Sequence, residues 1–258
     1  MRSKHTALSR TVRHACRFAA LALAAGVALA DPSPPGGSDG ITAPAWSFKL
    51  TPSYYSTSHQ PEATDLNLRA NHGPHALWLG YYQRGKEFEQ TRTGYEYTAQ
   101  LPYLQLVPSL QLASHGFVGS SLNAQIGDAA YALLGYGRTN ARDYYNLNFD
   151  PNDSVTYGLG TRLLAQSNLM LFTVKDNRLH TGQMVTHLVW RTAPDERHRW
   201  TVDLSSKHGR ASREDDSVSG RALSLTYDFD DVFLRLARDS KVNFTAENQT
   251  RISLGLRF

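Results

Sequence analysis

From about Trp46 to its last residue, the sequence alternates between apolar and polar residues with a period of two. The last stretch shows this most clearly, because Ile252, Leu254, Leu256 and Phe258 occupy every second position. Successive side chains on a β-strand point to opposite faces, so such a segment has one apolar and one polar face. No segment of this region keeps helical spacing over more than two turns. The pattern therefore predicts an all-β chain.

Residues 1–30 have the features of a secretory signal peptide. Five basic residues precede an uninterrupted apolar run that begins at Phe18 and ends in Ala-Leu-Ala. A small-x-small ending is the pattern that signal peptidase cuts, and the run is shorter than the ~20 residues of a membrane-spanning helix. We therefore predict export by the general secretory route and cleavage after Ala30. Residues 31–45, rich in Pro, Gly and Ser, are predicted to form a flexible periplasmic segment.

The exported chain is close to neutral. The full sequence has 27 Lys and Arg residues against 23 Asp and Glu, and the signal peptide holds five of the basic residues and no acidic one. The mature chain therefore has 22 basic residues against 23 acidic ones, which argues against binding of nucleic acid through net charge. The single cysteine, Cys16, lies in the signal peptide, so the mature chain has no disulfide and no cysteine nucleophile.

The signal peptide, the alternation and the last strand together resemble those of bacterial outer-membrane β-barrel proteins. The resemblance is to this porin-like class as a whole. In that class the final strand ends in Phe, and the barrel-assembly machinery reads it. The resemblance implies a transmembrane antiparallel up-and-down β-barrel over residues 46–258, located in the bacterial outer membrane and in contact with its lipids. It identifies no narrower family. A soluble sheet with an alternating edge strand is the alternative for the last strand taken by itself.

Fourteen segments have the length and alternation expected of membrane strands, and an even number returns both chain ends to the periplasm. Twelve strands is the alternative, if residues 104–149 are organised differently. Pro52 and Pro108 lie within two of the segments and argue against full pairing there, because proline cannot donate a ladder hydrogen bond. Residues 114–128 show no clean period and are compatible with a loop, a short helix or one more strand. The predicted strands lie near residues 46–55, 63–70, 75–83, 90–99, 104–113, 129–137, 142–149, 154–164, 168–176, 183–192, 198–207, 219–229, 231–239 and 249–258.

The connections alternate in length when they are counted back from Phe258 as the periplasmic end. Short turns fall at the inner end, and longer, more charged loops such as 208–218 fall outside, which is typical of membrane barrels. In the same register, six aromatic residues fall at inner strand ends on the apolar face. Aromatic residues that lie at the same height along the barrel axis are expected to form a lipid-facing girdle. Its members are Trp46, Tyr136, Trp190, Trp200, Phe229 and Phe258.

The polar faces of fourteen strands would line a lumen wider than the filled core of an eight-stranded barrel. Basic residues outnumber acidic ones on these faces, and rings of Arg or Lys favour anions in pores. The sequence therefore predicts a passive diffusion channel for small solutes with a mild anion preference. If the charges pair across strands instead, a non-conducting structural or surface-interaction barrel is the alternative. The residues predicted to line the lumen are Arg162, Lys175, Arg199, Asp203, Arg221, Arg235 and Arg251.

An outer-membrane lipid hydrolase is the second alternative, because such enzymes use a serine activated by a histidine. His180, His187 and the Ser-His pair at 114–115 lack the His-x-Ser spacing that this chemistry favours. The Asp-Asp pairs at 215–216 and 230–231 are explained better as solvated turns than as a protease site. The sequence has no Gly-rich phosphate loop and no metal-ligand spacing. It therefore predicts no catalytic residue, no metal and no cofactor.

Overall fold

The structure, a computed structural model, describes residues 45–162 and 166–258. These residues form one closed antiparallel β-sheet, in which the first strand pairs with the last. The predicted signal peptide, its cleavage site and nearly all of the segment 31–45 lie outside the described residues. Within the described residues, no helix is long and apolar enough to cross a membrane.

The barrel has fourteen strands in up-and-down order. The short β5 continues the line of β4, and both pair with β6, so the two count as one barrel strand. Single 3-10 turns lie at Ser114–Gly116 and Val242–Phe244. The strands are β1 (Trp46–Thr57), β2 (Ala63–His72), β3 (His75–Arg84), β4 (Phe88–Tyr97), β5 (Ala99–Leu101), β6 (Leu104–Ala113), β7 (Phe117–Gly127), β8 (Ala130–Thr139), β9 (Ser154–Thr161), β10 (Ser167–Asp176), β11 (Met184–Thr192), β12 (His198–Gly209), β13 (Val218–Phe229), β14 (Val232–Ser240) and β15 (Asn248–Arg257).

The two prolines are accommodated at gaps in the ladders. The pairing of β1 with β15 has a gap between Leu50 and Ser53, where Pro52 lies. The break between β4 and β5 falls opposite Pro108 of β6. Because proline has no backbone N–H, each gap costs ladder bonds on one side, while the other side of each proline stays paired.

The two ends of the barrel differ in their connections. The turn end carries Trp46 and Phe258 together with short turns, and the loop end carries longer connections. The longest connection between described strands, residues 140–153, lies at the loop end. This asymmetry matches the prediction from the sequence. The described turns join strands at 73–74, 102–103, 128–129, 193–197 and 230–231, and the loops join them at 58–62, 85–87, 114–116, 140–153, 177–183, 210–217 and 241–247. The connection from β9 to β10 is at the turn end, and only its residues 162 and 166 are described.

One predicted strand is a loop in the structure, and one segment whose structure the sequence left open is a strand. The total number of strands is therefore the same as predicted. Residues 142–149 belong to a loop and not to a strand. Tyr144, Asn146 and Leu147 are all buried, so the alternation in the sequence does not correspond to two faces there. Residues 117–127, which the sequence left open, form β7. The alternation of β7 is blurred because Phe117 faces the lumen and Ser120 faces outward.

The outer face of the barrel exposes large apolar side chains on each of the fourteen strands. Leu159 is 68% exposed, and Leu171 and Leu254 are each 55% exposed. A water-soluble domain would bury side chains of this size, whereas an apolar band around a barrel matches the hydrocarbon core of a bilayer. The surface therefore agrees with a membrane-spanning barrel.

Candidate functional site

The connection 140–153 between β8 and β9 folds into the barrel, and we call it the inward loop. A hairpin between adjacent strands needs ~2–5 residues, so this loop is far longer than its closure requires. Tyr144, Leu147 and Asp150 are each 6% exposed, and Asp153 is fully buried. The loop therefore occupies the lumen at the loop end.

Aromatic packing and amide hydrogen bonds attach the inward loop to the wall. The side chain of Gln90 binds Tyr145 like a strand partner, since its Nε2 donates to the Tyr145 carbonyl at 2.9 Å and its Oε1 accepts from the Tyr145 N–H at 2.8 Å. Tyr145 stacks on Tyr82 with ring centroids 5.0 Å apart, and Tyr144 stacks on Phe117 at 4.4 Å. Stacked pairs of this kind add to the energy of apolar burial, so the loop is firmly held on this side.

Charged groups attach the other side of the inward loop. His187 of β11 lies between Asp150 of the loop and Asp203 of β12, with 3.0 Å from each ring nitrogen to the nearer carboxylate oxygen. At the end of the loop, Asp153 accepts hydrogen bonds from the backbone and hydroxyl of Thr139 and lies 3.2 Å from Arg178. These contacts fix the C-terminal end of the inward loop, where it leaves the lumen and continues into β9.

A second element, the turn Val242–Phe244, also packs inward at the loop end. Phe244 is 2% exposed and lies 5.9 Å from the ammonium group of Lys207. The ring of Phe149, in the inward loop, lies 5.8 Å from the same ammonium group, which also forms a buried ion pair with Asp239. Lys207 is thus the point where both inward elements meet.

The rim of the loop end is tied across the junction of β1 and β15. The Ser58 hydroxyl donates to Glu247, and His59 Nδ1 lies 3.1 Å from the same carboxylate. The hydrogen bond from Ser58 is the main cause that lowers the pKa of Glu247, with His59 adding to it. Glu247 is therefore ionised at neutral pH and holds two connections together.

A cavity of about 820 Å³ lies between the inward loop and the turn end. Its lining includes Ser47 and Pro74 near the turns and Asn148 and Asp150 of the loop. Eight basic residues and five acidic residues line it, so positive charge is in excess. The basic residues are Lys49, Arg69, Arg92, Arg191, Arg199, Arg235, Arg251 and Arg257, and the acidic residues are Asp65, Glu96, Asp150, Asp203 and Asp228.

Several of these charges are neutralised across strands. Arg92 donates to both carboxylate oxygens of Asp65, at 2.8 and 2.9 Å. Arg69 pairs with Glu96, and Arg257 pairs with Asp228. Part of the lumen charge is therefore structural, as the alternative from the sequence proposes, and part is not.

Comparison with solved structures places this architecture among membrane barrels. The outer membrane protein Omp33 of Acinetobacter baumannii superimposes with a TM-score of 0.54 at 8% identity, covering 84% of this chain and all (100%) of Omp33. The chain has the fold of an outer-membrane β-barrel. A mutant porin of Rh. blastica gives a TM-score of 0.49 at 10% identity over 83% of this chain and 99% of that one, and the KdgM porin gives 0.46 at 10% identity over 81% and 99%. No protein family and no curated protein sequence matches the chain.

Four of the seven predicted lumen residues line the cavity. Arg199 and Asp203 of β12, Arg235 of β14 and Arg251 of β15 all lie on its wall. Two other basic residues of the wall, Arg92 and Lys49, were not among the predicted lumen residues. Arg92 lies on the same strand face as Glu96, and Lys49 lies on the same face as Ser47 and Thr51, so strict alternation along each strand would have predicted both. Asp150 and Lys207 had no such signal, because their partners come from distant parts of the chain.

The other three predicted lumen residues lie elsewhere. Arg162 is exposed at the turn end, where its Nη1 donates to the Asp128 carbonyl at 2.9 Å. Lys175 is exposed on the outer face, because β10 turns its apolar side chains inward, against the rule that the lumen face is polar. Arg221 is also exposed on the outer face, since it shares the side of β13 that carries Leu223.

Five of the six predicted girdle residues project outward at the turn end. Trp46, Trp190, Trp200, Phe229 and Phe258 are between 37% and 64% exposed. The sixth, Tyr136, is also on the outer face but lies near the loop end, because β8 runs from the turn end to the loop end. Its predicted level was wrong because residues 142–149, which follow β8, were counted as a strand, and this reverses the level of β8 when connections are counted back from Phe258.

The residues considered for catalysis are not brought together. His115 lies exposed in the turn Ser114–Gly116, and His180 is exposed in another loop. Asp230 pairs with Arg197 at the turn end, and Asp215 accepts hydrogen bonds from Ser212 within its own loop. In residues 45–162 and 166–258, no group of three His, Cys, Asp or Glu side chains is placed to hold a metal ion.

Single cysteines would distinguish the two faces of the wall, since the mature chain has no thiol of its own. We expect a bulky water-soluble thiol reagent to reduce the ion current through Arg199→Cys, because that side chain lies on the cavity wall. The same reagent should leave the current through Arg221→Cys unchanged, because that residue faces outward. Planar-bilayer recordings before and after labelling measure both. Equal block of the two variants would contradict the assignment of faces.

Proposed function

We propose that the chain is a channel of the bacterial outer membrane that passes small solutes and prefers anions. The observation that carries this proposal is the 820 Å³ cavity inside the barrel, with basic residues in excess on its wall. Cationic side chains in a confined lumen raise the local concentration of anions and lower that of cations.

The proposal includes two contacts outside the lumen. The exposed apolar band and the aromatic residues at the turn end support burial in outer-membrane lipid. The final strand β15, with Phe258 after it, supports recognition by the barrel-assembly machinery. Export through the predicted signal peptide would bring the chain to that machinery.

The test is the reversal potential of single channels in a planar bilayer under a salt gradient. We expect unmodified protein to give discrete current steps with a mild anion preference. The double variant Arg191→Glu/Arg199→Glu should shift the preference toward cations, because both side chains line the cavity. Arg221→Glu, on the outer face, is the matched control and should leave the reversal potential unchanged. A folded barrel without current, or one whose selectivity ignores the lumen charges, would contradict the proposal.

One observation favours a second candidate, a non-conducting structural barrel. The inward loop and the turn Val242–Phe244 bury much of the lumen wall at the loop end, including Tyr55 and Tyr82. A barrel sealed there would give no current until the loop is removed. Heat-dependent gel mobility, which shows that the barrel has formed, separates this outcome from simple misfolding.

A further inference from the structure

The outer face of the barrel carries charged side chains at one end only. On the described strands, every Lys, Arg, Asp or Glu side chain that points outward lies near the loop end of its strand, and all but one are basic. The exception, Glu89 of β4, accepts a hydrogen bond from the Tyr81 hydroxyl at 2.9 Å. The basic ones lie on β8 to β14, and we call them the basic arc: Arg138 of β8, Lys175 of β10, Arg221 of β13 and Arg238 of β14.

The basic arc lies at the depth where a bilayer changes from hydrocarbon to headgroups. The guanidinium of Arg138 lies over the ring of Tyr136, 4.4 Å from its centroid, and Tyr136 is exposed on the outer face near the loop end. Toward the middle of the strands, the same face carries leucines such as Leu171 and Leu223, which are 55% and 46% exposed. Aromatic residues are typical of the membrane interface, and Lys and Arg extend their charged ends toward it from an apolar surface. The arc is therefore placed to reach lipid headgroups.

Most of the basic arc has no acidic partner in the protein. Lys175, Arg221 and Arg238 form no ion pair within 4.0 Å in residues 45–162 and 166–258. Arg138 lies 4.0 Å from Asp153, and that carboxylate is closer to another arginine, at 3.2 Å. A positive charge on the lipid face is tolerated only near the interface, where headgroups and water reach it. The arc therefore leaves its charge for an anion that comes from the membrane.

One half of the basic arc is a close pair of arginines. Arg238 is opposite Leu223 in the ladder of β13 and β14, so Arg221, two positions from Leu223 on the same face, is a diagonal neighbour of Arg238. Diagonal neighbours lie about 7–8 Å apart, within reach of long side chains. Both guanidinium groups therefore reach the same phosphate, and guanidinium groups form strong, charge-assisted hydrogen bonds with phosphate oxygens.

The other half of the basic arc combines a lysine with an arginine. Lys175 of β10 and Tyr136 of β8 are each opposite Val155 of the intervening β9. Arg138 lies two positions from Tyr136, so its guanidinium and the Lys175 ammonium group lie on either side of Val155. The two halves are separated by β11 and β12, which suits a headgroup with two phosphates better than one with a single phosphate.

We propose that the basic arc binds a diphosphorylated glycolipid, whose acyl chains cover the apolar face beside it. Basic clusters at a membrane surface attract anionic headgroups, and the outer leaflet of the bacterial outer membrane consists largely of glycolipid with a phosphorylated headgroup. The inference rests on the proposed outer-membrane location with the loop end outside, and it names the lipid and the side of the barrel that holds it. Lys175 and Arg221, which the sequence predicted to line the lumen, thereby have a role outside it.

Lipid binding is measured by native mass spectrometry of the folded, detergent-solubilised chain, titrated with diphosphorylated lipid A, monophosphorylated lipid A or phosphatidylethanolamine. We expect diphosphorylated lipid A to bind roughly tenfold more tightly than phosphatidylethanolamine, with the monophosphorylated form between them. Lys175→Gln/Arg238→Gln should weaken binding of diphosphorylated lipid A roughly tenfold, whereas Lys175→Arg/Arg238→Lys keeps both charges and should retain it. Heat-dependent gel mobility shows that each variant has folded. An excess of inorganic phosphate should not displace the lipid, because free phosphate has no acyl chains.

Arg162→Gln is the matched control, because it removes a basic side chain at the turn end, where Arg162 donates to the Asp128 carbonyl. It should bind lipid A like the unmodified chain. Equal binding of the three lipids, displacement by inorganic phosphate, or the same loss in Arg162→Gln as in Lys175→Gln/Arg238→Gln would overturn the inference.

The lipid titration and the test of the channel fail independently. The basic arc lies outside the ion path, so Arg221→Glu should still leave the reversal potential unchanged in a planar bilayer of zwitterionic lipid. Preferential binding of lipid A by a barrel without current would support the inference and contradict the channel. An anion-selective current from a barrel that binds the three lipids equally would support the channel and contradict the inference.

Discussion

Replacing residues 142–151 by a short glycine-serine link should raise the single-channel conductance severalfold. These residues fill the lumen at the loop end, and they cover wall side chains such as Tyr82, which is 0% exposed. Strands β8 and β9 are adjacent and antiparallel, so a short link can join them without strain on the barrel. Keeping Asn152 and Asp153 preserves the hydrogen bonds to Thr139. Planar-bilayer recordings of the refolded variant measure the conductance.

The matched control is a shortened loop 210–217 at the same end of the barrel. That loop includes the exposed residues Arg213, Glu214 and Asp216, and it contributes nothing to the described cavity lining. We therefore expect its removal to leave conductance unchanged. An unchanged conductance after replacement of 142–151 would show that the inward loop does not limit the flow of ions. A large rise with the control loop would place the constriction elsewhere.

The period of two was sufficient to predict the architecture but not the identity of each strand. Alternation measures which side chains are buried and which are polar, and it does not report which backbone groups pair. Residues 142–149 alternate in sequence although side chains of both sets, such as Tyr144 and Leu147, pack into the lumen, whereas β7 alternates weakly because its small side chains suit both faces. The predicted number of strands was right because these two segments exchanged roles. The misplaced level of Tyr136 follows directly from that exchange.

The prediction of faces depended on the rule that polar side chains point inward. That rule holds for β12, where Arg199 and Asp203 line the cavity. It fails for β10, where Met170 and Phe172 point inward and Lys175 outward. The failure occurs where inward-pointing side chains are apolar and pack against one another, because Met170 and Phe172 belong to a buried cluster with Leu133 and Val189.

Contacts between distant segments were beyond the reach of the sequence. The Arg92–Asp65 pair joins β4 to β2, and the His187–Asp150 contact joins β11 to the inward loop. The first pair reaches across β3 at Gly80, the second depends on the path of the inward loop, and neither has a local sequence pattern. The composition of the lumen could be predicted in part, but the pairing of its charges could not.

Breaking the buried pair of Arg92 and Asp65 should cost about 3–5 kcal/mol in the free energy of unfolding. The two side chains are 7% and 6% exposed, and Arg92 Nη1 already lacks a hydrogen-bond partner. Asp65→Ala would leave the guanidinium charge buried without a counterion, whereas replacement of both residues by apolar ones of similar volume should be far milder. Urea titration of the folded barrel in lipid vesicles measures the change.

Asp230→Asn at the turn end is the matched control, because it breaks an exposed pair with Arg197 that water screens. We expect no measurable loss of stability there. Tyr144 of the inward loop lies within electrostatic range of both Arg92 and Asp65, so the loop contributes to the dry surroundings of the pair. In the variant that lacks residues 142–151, water should reach the guanidinium, and Asp65→Ala should cost less than in the complete barrel. The same cost in both backgrounds would show that the wall alone, without the loop, keeps this pair from water.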